Sequence, residues 1–131
     1  MNYNHLLIIQ LKHLGDILLT TPVISALKAA WPRAAVSALV PLGMEAMLTE
    51  HPGLTEVLTM DRRDRSPWNF LTFAAGLRRR RFDLVLEFSG GDRGALYTWL
   101  TRARTRMGFQ HPRRPLWQRR FAFTRLAPPP P

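Results

Sequence analysis

The chain has 131 residues, 46% of them hydrophobic, and sets 19 lysines and arginines against 9 aspartates and glutamates for a formal net charge of +10. That length suits one domain with a real core, and the apolar content excludes a disordered chain. The lack of cysteine excludes disulfides and thiolate metal sites and suits a reducing compartment.

The positive excess is almost all arginine and points to an anionic partner: nucleic acid, a phosphorylated glycan or an acidic membrane surface. Leu6–Leu11 is too short for a secretory h-region and no basic segment precedes it. No window approaches the ~18 apolar residues of a membrane span. The expectation is a cytoplasmic protein whose membrane contact is peripheral.

His5–Leu11 is short, continuous and apolar, the pattern of a buried strand. It runs into Lys12-His13-Leu14-Gly15-Asp16, and Asp16–Thr20 reads as a first helical turn. Thr21-Pro22 restarts the helix, with threonine as N-cap and proline at N1. Val23, Ile24, Leu27, Ala30 and Trp31 form one apolar face, and Pro32 ends it. Ala35–Val40 is a second strand, Met44–Glu50 a short helix, and Thr55–Met60 a third strand. Ser66-Pro67 opens the next helix, with Trp68, Leu71, Phe73, Ala74 and Leu77 as its buried face and Arg78–Arg81 at its end. Phe82–Phe88 is a strand, Ser89-Gly90-Gly91-Asp92 a turn, and Arg93–Arg102 a helix; Arg106–Phe109 is a fifth short strand.

Beyond Gln110 the pattern fades. His111–Arg120 is basic with Trp117 interleaved, and Ala127–Pro131 suits extended polyproline. The expected organisation is a Rossmann-like α/β domain over residues 1–110 and a basic, proline-rich segment, partly disordered, over residues 111–131. Strands alternating with helices imply a parallel sheet with helices on both faces.

No GxGxxG follows the first strand, and no GxxxxGK[ST] or G-x-S-x-G occurs. Four histidines lack metal-ligand spacing. Two constellations remain. In the first, Gly15 permits a sharp turn and close approach of a substrate. Asp16 would stand at a helix N-terminus, where the dipole favours a carboxylate able to take a proton from a sugar hydroxyl. The alternative is that Asp16 is only an N-cap, worth about 1 kcal/mol; spacing alone leans to the cap. In the second, Ser89-Gly90-Gly91-Asp92-Arg93-Gly94 leaves a strand and opens a helix, so its N–H groups suit an anion that Arg93 would clamp. A plain glycine turn capped by Asp92 fits equally well. Arg62, Arg63 and Arg65 follow the third strand at the same edge; Arg113, Arg114, Arg119 and Arg120 lie in the late segment. Arg78–Arg81 reads as a solvated helix end.

Two blocks carry a family resemblance. LIIQLKHLGDILLTTPVISALKAAWPRAAVSALV resembles the start of the lipopolysaccharide heptosyltransferases, glycosyltransferase family 9. RFDLVLEFSGGDRGALYTWLTRARTRMGF resembles the same family's fourth strand, glycine turn and following helix. The blocks fall in the family's order and spacing, and the likeness runs to about Phe109. Lys12-His13 departs from the small hydroxyl pair usual before Leu-Gly-Asp, and with LLTTPVISALK resembles the branch that adds the third heptose.

The resemblance implies the N-terminal, acceptor-binding half of a GT-B enzyme. It implies ADP-heptose as donor, a lipid A-core acceptor, inversion at the anomeric carbon and neither cofactor nor metal. Asp16 falls on the family's catalytic base. Lys12, Gly15, Arg62, Arg63, Ser89, Gly90, Arg93, Arg114 and Arg120 are the implied acceptor-binding residues. The donor-binding domain has no counterpart in this sequence, so a truncated form with little activity alone is expected. The alternative is a basic nucleic-acid-binding α/β domain. Arginines gathered at strand ends, and the lack of any nucleic-acid motif, count against it.

Overall fold

The computed structural model describes residues 3–109 and 121–127. Arg113, Arg114, Trp117, Arg119, Arg120 and the run of prolines at 128–131 lie outside the described residues. The chain alternates strands and helices: β1 His5–Ile9, α1 Leu14–Leu18, α2 Thr21–Ala30, β2 Ala35–Pro41, a 3-10 turn Glu45–Met47, β3 Glu56–Met60, α3 Pro67–Arg79, β4 Leu84–Glu87, α4 Asp92–Leu100, β5 Thr105–Phe109 and β6 Arg125–Ala127.

The strands form one sheet in the order β3-β2-β1-β4-β5-β6, with every neighbouring pair parallel. Successive side chains of β1 point to opposite faces. Leu7 and Ile9 pack with Leu77 of α3 and Tyr97 of α4. Leu6 and Ile8 pack with Ile17 of α1 and Ile24 of α2. Both faces of β1 are therefore covered, which explains its unbroken apolar run. This is a Rossmann-like α/β architecture.

Strand order reverses at β1. Its chain continues by α1 and α2 to β2 on one side, while β4 lies on the other, in register from Leu6↔Leu84 to Ile9↔Glu87. A crevice opens beyond the carboxyl ends of two such strands, and ligands bind there in open α/β sheets. The loop after Ile9 and the loop after Glu87 flank that point.

Several local expectations are corrected. Trp68 and Leu71 of α3 are 75% and 61% exposed. At 100° per residue Trp68 lies opposite Phe73, Ala74 and Leu77, which form the inward face, and Leu71 falls to one side of it. The N-cap of α2 is Thr20, with Pro22 one position deeper than expected, and Ala30 is exposed. Met44–Glu50 yields only a 3-10 turn. Arg80 at the end of α3 is not simply solvated: it grips Glu56 of β3 through Nε and Nη2, at 2.8 and 3.1 Å.

The sheet also crosses the expected boundary at residue 110. β6 pairs with β5, Met107↔Arg125 to Phe109↔Ala127. Arg106 ties this return down, donating to the carbonyls of Ala103, Phe121 and Ala122 at 2.7, 2.8 and 2.9 Å. Phe123 lies against Gly108, where a Cβ would collide with its ring.

Candidate functional site

The bend after β1 is built on Gln10. Its backbone N–H extends the ladder to Leu39, and its buried side-chain Oε1 accepts the Lys12 N–H at 3.2 Å. Lys12 and His13 are exposed. His13, not Asp16, is the N-cap of α1, and Asp16 occupies N3. The Asp16 Oδ2 accepts the His13 N–H at 3.4 Å, a long reciprocal capping contact. Oδ1 of Asp16 makes no hydrogen bond among the described residues, and the side chain is half-buried. Gly15 does not have the positive φ a sharp turn would demand. It lies within α1, and a Cβ there would meet nothing within 4 Å, so the space over it is open.

The turn after β4 is organised by a residue the sequence did not single out. Glu87 is 1% exposed, and its carboxylate accepts the Ser89 hydroxyl and the Ser89 N–H, the latter at 2.6 Å. It also accepts the Gly90 N–H at 3.1 and 3.0 Å. Gly90 adopts φ +75°, a conformation that favours glycine. Gly91 rather than Asp92 is the N-cap of α4. Two of the turn's N–H groups are thus spent on Glu87, which weakens the case for the turn as a bare anion cradle. The signal for Glu87 was present: an acid at the end of an apolar strand, followed by Ser-Gly-Gly.

Two adjoining cavities lie at this rim. The smaller, about 320 Å³, is lined by Lys12, Arg62, Ser89 and Arg93 with Leu11 and Met60. It unites four predicted residues, Lys12, Arg62 and Ser89 from three separate loops and Arg93 from the first turn of α4, and Arg62 Nη2 donates to the Lys12 carbonyl at 3.4 Å. Three cations outnumber the one carboxylate, Asp92, around this cavity, a balance that suits an anionic ligand. The larger, about 420 Å³, shares Met60 and Arg93 and runs between α3 and α4 past Asp61, Asn69 and Tyr97. Asp16, Gly15, Arg63 and Gly90 line neither cavity; Gly90 sits between two residues that do. Arg63 is exposed, its backbone N–H bonded to Asp61 at 2.9 Å. Arg114 and Arg120 lie outside the described residues.

Over 124 residues, 90% of this chain, the sequence is 29% identical to lipopolysaccharide heptosyltransferase 3 of Escherichia coli K12. The chain is similar to the lipopolysaccharide heptosyltransferases. It spans 36% of that relative's length. An Escherichia coli heptosyltransferase, WaaC, solved with ADP-2-deoxy-2-fluoro heptose, superimposes with a TM-score of 0.79 at 23% identity, covering 93% of this chain and 41% of that one. A glycosyl transferase of family 9 from Veillonella parvula gives 0.77 at 21% identity, covering 96% of this chain and 36% of that one. At such identities the structural likenesses establish the shared fold. No protein-family model matches the chain. The likeness to a heptosyltransferase numbered three agrees with the branch read from Lys12-His13.

Among the described residues, no helix is long and apolar enough to cross a membrane.

Proposed function

We propose that this chain is the acceptor-side part of an inverting glycosyltransferase that moves heptose from ADP-heptose to the inner core of lipopolysaccharide. The observation that carries the reading is its 29% identity over 124 residues to a heptosyltransferase. The crevice between the β1 bend and the β4 turn, where Lys12, Arg62, Ser89 and Arg93 meet, supports it.

Asp16 is the general base. Its unbonded Oδ1 takes the proton of the attacking acceptor hydroxyl. That oxygen forms the new bond to the anomeric carbon as the bond to ADP breaks, and ADP leaves with the electron pair. Lys12, Arg62 and Arg93 hold the acceptor's phosphate or carboxylate groups, with Gly15, Arg63, Ser89 and Gly90 completing the contact surface. Arg114 and Arg120 are assigned the same role. Donor binding falls chiefly to protein beyond this chain, which spans 36% of its relative's length. Alone the chain transfers heptose poorly, because proximity of donor and base supplies much of the rate. It works on the cytoplasmic side, where exposed Trp68 and Leu71 suit peripheral contact with the membrane that carries a lipid-linked acceptor.

The test is a hybrid in which this chain replaces the matching third of the Escherichia coli relative. Transfer of heptose from ADP-heptose to lipopolysaccharide lacking the last inner-core heptose is expected. A folded hybrid that transfers nothing contradicts the reading.

A further inference from the structure

We infer that the cavity between α3 and α4 is a subsite for an uncharged, hydroxyl-rich sugar ring of the acceptor, held by the Tyr97 hydroxyl and the Asp61 carboxylate. The inference rests on the transferase reading and says which part of the acceptor goes where.

Tyr97 is the starting point. It is 6% exposed and lines the cavity, yet its hydroxyl makes no hydrogen bond among the described residues. That hydroxyl is not walled off: among the described residues Ser37 Oγ is the buried side-chain oxygen left without a partner, so the phenol end of Tyr97 opens into the cavity. Burial raises its pKa, against a smaller opposing effect of Arg93, so it remains a protonated donor. A ligand hydroxyl in the cavity takes the place of solvent at that donor.

The opposite wall is built to accept. Asp61 takes the Arg63 N–H at 2.9 Å on one oxygen and leaves the other unbonded among the described residues. Asp64 is locked in place, its oxygens receiving the Ser66 N–H and the Asn69 amide at 2.9 and 2.8 Å. Those two bonds hold its carboxyl below the usual range. Between donor and acceptors stand aromatic rings: Phe73 meets Tyr97 edge-on at 5.3 Å, and Phe70 lies 6.2 Å from it. Apolar faces flanked by a phenol and carboxylates match a pyranose, which has C–H faces and a rim of hydroxyls. The volume, about 420 Å³, falls in the range of small-molecule sites.

Charge separates the two cavities. Asp61 and Asp64 outnumber Arg93 in the larger cavity and disfavour a phosphate, while Lys12, Arg62 and Arg93 outnumber Asp92 in the smaller and attract one. Met60 and Arg93 line both, so a single ligand spans them. The acceptor therefore has a neutral ring in the α3–α4 cavity and an anionic group on the adjoining unit.

The experiment is an NMR titration of the full chain with methyl heptopyranoside and, separately, with inorganic phosphate. The heptoside is expected to move amide signals around Asp61, Asn69 and Tyr97, and phosphate those around Lys12 and Arg62. Tyr97→Phe should weaken the heptoside about fivefold or more, as expected for one buried hydrogen bond, with the phosphate response unchanged. Asp61→Asn, which removes no packing, gives the same result should the first variant misfold. Heptoside binding that both variants leave intact overturns the inference, as does a wild-type chain that shows no heptoside response. The transferase reading fails separately: heptoside bound through Tyr97 in a hybrid that transfers no heptose keeps the subsite and removes the reaction.

Discussion

The buried carboxylate of Glu87 holds the N–H of Gly90 with both its oxygens, at 3.1 and 3.0 Å. The glycine turn at the crevice is therefore braced from inside the sheet. Glu87→Ala strips acceptors from the Ser89 hydroxyl and two backbone N–H groups, and should cost about 2–3 kcal/mol. Gly94→Ala tests the same contact from the other side. An added Cβ would collide with the Glu87 carboxylate and stand 2.9 Å from the Ser89 Oγ. Although alanine is the better helix former, this variant should lose about 1–3 kcal/mol. Urea unfolding measures both; a neutral or stabilising Gly94→Ala would contradict the packing described.

Helix α3 predicts a contrast. Leu77 is fully buried, while Trp68 and Leu71 face solvent. Leu77→Ala should cost about 2–5 kcal/mol. Trp68→Ser and Leu71→Gln should each change stability by no more than about 0.5 kcal/mol. The same denaturation curves check all three.

That helix also shows where the sequence stops being informative. The strands were legible because a sheet covered on both faces needs unbroken apolar runs, and Leu6–Ile9 and Leu84–Leu86 supply them. The two site loops were legible because glycine and acid follow those runs directly. In α3, Trp68, Phe70, Leu71, Phe73, Ala74 and Leu77 ring the helix so widely that spacing could not choose the inward side. Glu87 was passed over as the last residue of its strand, although the Ser-Gly-Gly behind it supplies the hydroxyl and two N–H groups that it binds. Tyr97 carried no signal in the sequence, since nothing there shows that it and Asp61, 36 positions apart, line one cavity. β6 was missed because its anchor, Arg106, bonds to carbonyls 15 and 16 residues away.

The Glu56–Arg80 pair sets an acid limb. The hydrogen bond from Arg80 lowers the Glu56 pKa below its ordinary 4.5. A pKa lowered by folding adds stability above the unfolded value and loses it as pH falls through the folded one. Stability should therefore decline below about pH 4.5, and Glu56→Gln should flatten part of that decline. Both side chains are a third or more exposed, so solvent screening keeps the effect small and added salt shrinks it further. Thermal melts between pH 3 and 7, roughly spanning the carboxylate range, check this; an unchanged acid limb in the variant would remove the pair from the account.

The central claim is that the carboxylate of Asp16 takes the acceptor's proton. The most direct measurement is the single-turnover rate of heptose transfer by the hybrid enzyme carrying Asp16→Asn, beside its thermal midpoint. The account predicts a midpoint within a few degrees of the parent, since only the 3.4 Å contact to the His13 N–H is altered, and a transfer rate lower by about a hundredfold or more. A rate close to the parent's, in a variant that folds normally, would contradict it.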